Sequence, residues 1–167
     1  MCEWDCNVGG GGGRFAGKED VGTTNVLKSS AQRSVRKQIL ERCPAMSEEA
    51  MEVLIPKKSS LFLTKCRDNI SFIVLDGVPL FFQHFDGPLI PTLRILHQYP
   101  SMLPHVQVDK GAIKYVLSGA DIMCPGLTSA GGRISPDLLA GTVVAVMADG
   151  MEHALAIGIM KMSGTQM

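Results

Sequence analysis

Several large classes of protein are argued against by what this sequence does not contain. None of its apolar runs approaches the roughly 20 residues that a membrane-spanning helix needs. Its start, Met1-Cys2-Glu3-Trp4-Asp5, is acidic and lacks the basic-then-apolar order of a secretory leader, so a cytoplasmic location is expected. The five cysteines, Cys2, Cys6, Cys43, Cys66 and Cys124, are odd in number and scattered, unlike a secreted disulfide framework. Cys2 and Cys6 have no second Cys or His pair near them, so no metal and no cofactor is expected.

Catalytic signatures are missing too. There is no Gly-x-x-x-x-Gly-Lys phosphate loop and no Gly-x-Ser-x-Gly elbow. His84, His97, His105 and His153 stand far apart. Cys124, followed by Pro125, has no adjacent group to lower its pKa and no expected helix N-terminus, so it reads as a small buried apolar residue. No enzyme is expected, because a nucleophile needs a base and an orienting group.

What is present is the make-up of a globular chain, with 46% hydrophobic and 19% charged residues in 167. Formal net charge is zero, from 16 basic and 16 acidic residues, but the distribution is uneven. Residues 26–67 carry nine Lys and Arg against four Glu, a local net charge of +5. A local basic surface suits phosphate contact, since such contacts need cations in one place. An ordinary solvated helix face gives the same pattern.

Residues 1–22, with the glycine run at 9–13, read as a disordered extension. Leu27, Ala31, Val35 and Ile39 recur at helical spacing, with Thr24 or Asn25 as cap and Pro44 as stop. A second helix is expected over 47–54, its Glu48 and Glu49 placed where the helix dipole favours acids. Residues 61–85 switch to β-branched and aromatic residues with turns at Arg67-Asp68-Asn69 and Asp76-Gly77, which predicts a three-stranded meander. Pro91 suits the first position of a helix that buries Leu93 and Leu96 and closes before Pro100.

Pro104 marks a joint, giving one domain over 23–103 and another over 104–167. In the second, "HVQV" reads as a strand and Asp109 as the cap of a helix whose Ala112, Ile113, Val116 and Leu117 form one apolar face. Gly119 stands where that helix wants a left-handed residue, and "ADIMCPG" reads as a strand entering a turn. Strands over 142–147 and within 153–162 complete a small barrel or pseudo-barrel. Gly119, Gly126, Gly131 and Gly132 carry no side-chain bulk, so a ligand backbone can approach and main-chain amides are left free for phosphate or base edges. Lys110 and Lys114, four apart, share a face beside them. Met123 either stacks on a base or fills the barrel.

The stretch "VDKGAIKYVLSGADIMCPGLTS", residues 108–129, resembles the signature of a PUA domain, the RNA-binding module of pseudouridine synthases and archaeosine transglycosylases. "LFFQHFDGPLIPTLRILHQYPSMLPHVQVDKGAIKYVLSGADIMCPGLTS" with "HALAIGIMKMS" resembles the malignant T-cell-amplified sequence family, over residues 26–163. The resemblance implies an α+β fold: an N-terminal pre-PUA α+β domain followed by a PUA-type β pseudo-barrel. The family continues past "KMS" with a segment that supplies the closing C-terminal strand. This chain ends at Met167, which implies either a truncated molecule or a barrel with an open edge.

The resemblance also implies a function, that of a noncatalytic RNA-binding translation factor. It would act on the small ribosomal subunit with density-regulated protein, in reinitiation, noncanonical initiation and post-termination tRNA release. Mapped onto this sequence, the RNA-binding surface is Lys110, Gly111, Lys114, Ser118, Gly119, Ala120, Met123, Pro125 and Gly126. Arg33, Arg36, Lys37, Lys57, Lys58 and Arg94 form the candidate ribosome-facing patch. The implied partners are density-regulated protein, small-subunit RNA and tRNA, without a membrane, in a monomer or heterodimer. The alternatives are a protein-interaction adaptor, using the meander and the Leu89 to Tyr99 segment, and an accessory RNA-binding module of an RNA-modification system.

Overall fold

The computed structural model describes residues 21–166, in two compact units that divide between Ile95 and Leu96. Most of the expected disordered extension, residues 1–20, lies outside the described residues. Val21 and Gly22 belong to a strand instead.

Residues 21–95 build a five-stranded antiparallel sheet in chain order: β1 (Val21–Val26), β2 (Leu61–Cys66), β3 (Ile70–Leu75), β4 (Val78–His84) and β5 (Ile90–Pro91). The expected meander is β2–β3–β4. Its turns have the anticipated chemistry. Asp76 and Gly77 both take positive φ (49° and 79°), which matches the twist of the flanking strands. Asp68 and Asn69 also take positive φ (57° and 55°), a conformation these two residue types tolerate.

β1 was not expected. Its residues pair with β2 from Val26 opposite Phe62 to Val21 opposite Cys66, and Thr24 and Thr64 share a hydroxyl hydrogen bond of 3.0 Å. Thr24 and Asn25 are therefore strand residues and cap nothing. The helix α1 spans Ser29–Arg42, with Lys28 at its cap position, and Leu27 donates its N–H to Leu61 O at 2.8 Å rather than joining the helical face. The helix α2 (Glu48–Leu54) starts at Ser47, whose hydroxyl accepts from Ala50 N at 3.1 Å. Pro91 is also corrected: it ends β5, on an edge where its missing N–H is tolerated, and α3 begins at Leu93 (Leu93–Gln98). Leu89, Ile90, Ile95 and Leu96 are buried, so most of the apolar surface of the Leu89 to Tyr99 segment is spent on packing.

Residues 96–166 hold a three-stranded open sheet, β6 (His105–Val108), β7 (Val143–Ala148) and β8 (Ala156–Ile159). β6 and β7 run parallel and β7 and β8 antiparallel. Parallel strands need a long crossover, and here it carries α4 (Ile113–Leu117) and α5 (Cys124–Thr128). Alternation along the strands sends Val106, Val108, Val144, Val146 and Ala148 into a core with Val116, Ile122, Leu127, Leu138 and Met160. Burying each valine or leucine contributes about 1.5–3 kcal/mol. The mixed helix-and-sheet fold is as expected, but "ADIMCPG" is not a strand. Residues 120–123 are irregular, and both expectations for Cys124 are corrected: it is half-buried rather than buried, and it stands at a helix start, opening α5, where Pro125 fits the first turn.

Candidate nucleic-acid interface

The crossover between β6 and β7 frames a groove of about 960 Å³, lined by residues 109–117, 120–123, 125 and 126. Its two walls are tied together by Asp109, the first residue after β6. The Asp109 N–H donates to Gly126 O at 2.9 Å. Its Oδ1 accepts from Ala112 N at 2.7 Å, the expected capping contact, and its Oδ2 accepts from the Ser129 hydroxyl at 2.6 Å. The Ser129 hydroxyl, then the Ala112 amide, hold the Asp109 carboxyl below the usual carboxylate range.

The helix α4 ends as anticipated. Gly119 is left-handed (φ 81°), its N–H bonds Val116 O at 3.0 Å, and the Ala120 N–H reaches back to Tyr115 O at 3.0 Å. Five residues make too short a helix to keep four apolar positions on one side. Val116 is buried, with Ala112 and Ile113 packed against the core, but Leu117 is 66% exposed. Tyr115 (56%) and Met123 (50%) are exposed as well, which answers the choice for Met123: it lies at the surface. The Lys114 Nζ rests over the Tyr115 ring, 4.8 Å from its centroid.

Of the nine residues expected to touch RNA, Lys110, Gly111, Lys114, Ala120, Met123, Pro125 and Gly126 line this groove. Ser118 and Gly119 do not. They close α4, and Ser118 Oγ donates to Tyr115 O at 2.8 Å. The glycine amides are mostly committed to the fold rather than free. The Gly119, Gly126 and Gly132 N–H groups bond Val116 O, Met123 O and Ser129 O. Gly132 has no room for a side chain, since a Cβ would stand 2.5 Å from the Leu127 carbonyl carbon. Sequence reasoning missed eight lining residues, among them Tyr115, Leu117 and Asp121. The signal was Tyr115, a large aromatic outside the apolar spacing.

The six cations expected as a patch all lie in residues 21–95, and they differ in availability. Arg36 is not free. Its Nη2 donates to Glu52 Oε2 at 2.8 Å and its Nη1 to Ile55 O, so it joins α1 to α2. The Lys57 N–H donates to Glu52 Oε1 at 2.9 Å and the Lys57 ammonium lies 3.9 Å from Oε2. The Lys57 amide, ahead of Arg36, holds the Glu52 carboxyl below its ordinary value. Lys37 pairs with Glu41 at 3.6 Å. Arg33, Lys58 and Arg94 are exposed.

The Pre-PUA-like domain family matches residues 15–100 and the PUA domain family residues 104–167. Malignant T-cell-amplified sequence 1 of Rattus norvegicus is 48% identical over 153 residues, 92% of this chain and 83% of its own length. The chain belongs to the malignant T-cell-amplified sequence family. Other members are similarly near: the Dictyostelium discoideum homolog of sequence 1 is 49% identical over 146 residues, 87% of this chain and 80% of its own. Malignant T-cell-amplified sequence 2 of Homo sapiens is 46% identical over 150 residues, covering 90% and 82%. Solved structures share the family's fold at lower identity. A hypothetical protein of Pyrococcus horikoshii superposes with a TM-score of 0.67 at 24% identity, covering 86% of this chain and 85% of that one. A PUA domain from Aeropyrum pernix, solved with tartrate, gives 0.62 at 24% identity, covering 86% and 75%.

Proposed function

We propose that this chain is a noncatalytic, cytoplasmic RNA-binding translation factor. It acts on the small ribosomal subunit together with density-regulated protein, in reinitiation, noncanonical initiation and post-termination tRNA release. The observation that carries the RNA-binding part is the groove between α4 and α5. Its apolar floor is flanked by Lys110 and Lys114, with Tyr115 and Met123 exposed beside it. Unpaired bases stack on exposed apolar and aromatic side chains, while lysines meet the phosphates. Family membership supports the same reading.

Arg33, Lys58 and Arg94 are each exposed and so available to ribosomal RNA phosphates. Binding to isolated small subunits tests this. It should weaken steeply with salt, because phosphate neutralisation releases counterions. Salt-insensitive binding would count against it. Charge reversal at Lys57 and Lys58 should reduce subunit binding and leave capture by density-regulated protein intact. Subunit binding that survives this reversal while the partner is still captured would favour the second reading, a protein-interaction adaptor. That reading draws on Phe85, an exposed aromatic just past the last strand of the meander.

A further inference from the structure

Parallel pairing sets Val108 of β6 opposite Ala148 of β7, so the residues that follow the two strands emerge side by side. After β6 come Asp109 and Lys110, and after β7 comes Asp149. The Asp149 N–H donates to Val108 O at 3.0 Å, which fixes its backbone against the end of β6. Its Oδ2 lies 3.9 Å from the Lys110 Nζ. Gly131 leaves space for this carboxylate, since a Cβ there would stand 3.2 Å from Asp149 Oδ2. Asp149 is thus seated between a lysine of the groove and a glycine that admits it, without lining the groove itself. Lys114, the other lysine of the groove, rests on the Tyr115 ring, and no ion pair joins it to a described carboxylate.

We propose that Asp149 is a specificity-determining residue of this interface, an internal counter-ion that an RNA phosphate must displace from Lys110. This rests on the reading of the groove as an RNA-contacting site. A phosphodiester that meets Lys110 exchanges one anion for another and gains less than it would at an unpaired ammonium. Lys110 therefore adds little to indiscriminate polyanion binding. It rewards a strand whose bases also occupy the apolar floor near Tyr115 and Met123, because those contacts hold the phosphate in place while Asp149 yields. Specificity here comes from a built-in competitor as well as from attraction.

The test is a double-mutant cycle. Wild type, D149N, K110M and the double variant are titrated at several salt concentrations with a short single-stranded oligouridylate and with inorganic polyphosphate, a polyanion without bases. D149N should gain more for polyphosphate than for oligouridylate, and an equal gain would overturn the specificity role. D149N should bind about two- to five-fold tighter at low salt, the range expected for releasing one exposed pair. Its dependence of log affinity on log salt should steepen by about 0.7, one single-strand phosphate. K110M should bind more weakly, and D149N should add nothing in the K110M background. An equal gain from D149N with and without K110M would overturn the proposal, since Asp149 would then act only through the general field. Weaker binding by D149N would overturn it too, since Asp149 would then be propping Lys110 for the ligand. If none of the four proteins binds, the interface reading falls and the proposal with it; binding with additive effects removes the proposal alone.

Discussion

In residues 21–95 one cation, Arg36, is bound into the fold, whereas the lysines around the groove of residues 96–166 stand at the edge of an apolar floor. Arg36 spends its guanidinium on Glu52 and Ile55 O, and Lys57 shares the same carboxylate. Lys114 meets an aromatic face, and Lys110 stands 3.9 Å from Asp149, the same distance as Lys57 from Glu52. Counting lysines and arginines measures charge. Where the carboxylates fall decides how much of that charge a phosphate can use.

The largest effect should come from the packing beneath the groove. Leu127 of α5 is 1% exposed and belongs to the core with the β6 and β7 valines, so Leu127→Ala should destabilise residues 96–166 by about 2–5 kcal/mol. Thermal unfolding measures this. An equal loss of helix content in 21–95 would show that the two regions do not behave as separate units. Arg36→Ala should cost residues 21–95 about 1.5–3 kcal/mol, because it removes charge-assisted hydrogen bonds from a half-buried site. A change near zero would make Arg36 a surface cation after all and dissolve the contrast.

Lys114→Met should leave stability near wild type, weaken oligouridylate binding and flatten the salt slope by about 0.7. Equal flattening by R36M would mean that both regions offer their cations alike. The pH response is smaller and has a defined sign. The Asp109 carboxyl is depressed on folding, so its stabilising contribution is present above the unfolded value near 4 and is lost as pH falls through the folded value. Acid unfolding monitored with D109N should therefore lose part of its steepness below about pH 4. Smallest of all, Lys37→Gln should change stability by only about 0.3–0.5 kcal/mol, since the Lys37–Glu41 pair is exposed and four residues apart.

The parts of the fold that were legible in the sequence are those decided within a few residues. Asp76-Gly77 dictates its own turn, Ser47 caps the helix that follows it, and Gly119 ends the one before it. The parts that were not legible depend on partners far along the chain. Val21–Val26 is polar and glycine-containing, and becomes a strand because β2 offers an edge forty residues on. Arg36 reads as a free cation until Glu52, sixteen residues away, is placed beside it. Seven of the groove's fifteen lining residues were legible, because the lining falls within one stretch, 109–126. The misplaced Leu117 and the misread glycine amides follow from helix length and local hydrogen bonding, which spacing alone does not reveal.

The parallel pairing of β6 with β7 has a consequence for how the molecule is made. His105 finds its partner at Ala145, so the intervening chain, groove walls included, must leave the synthesising machinery before that register can close. Contacts of such sequence separation form late and slowly. Until β7 arrives, Val106, Val108 and the inner side of α4 lie open to water, and this interval is when the nascent chain is most exposed to sticking to its neighbours.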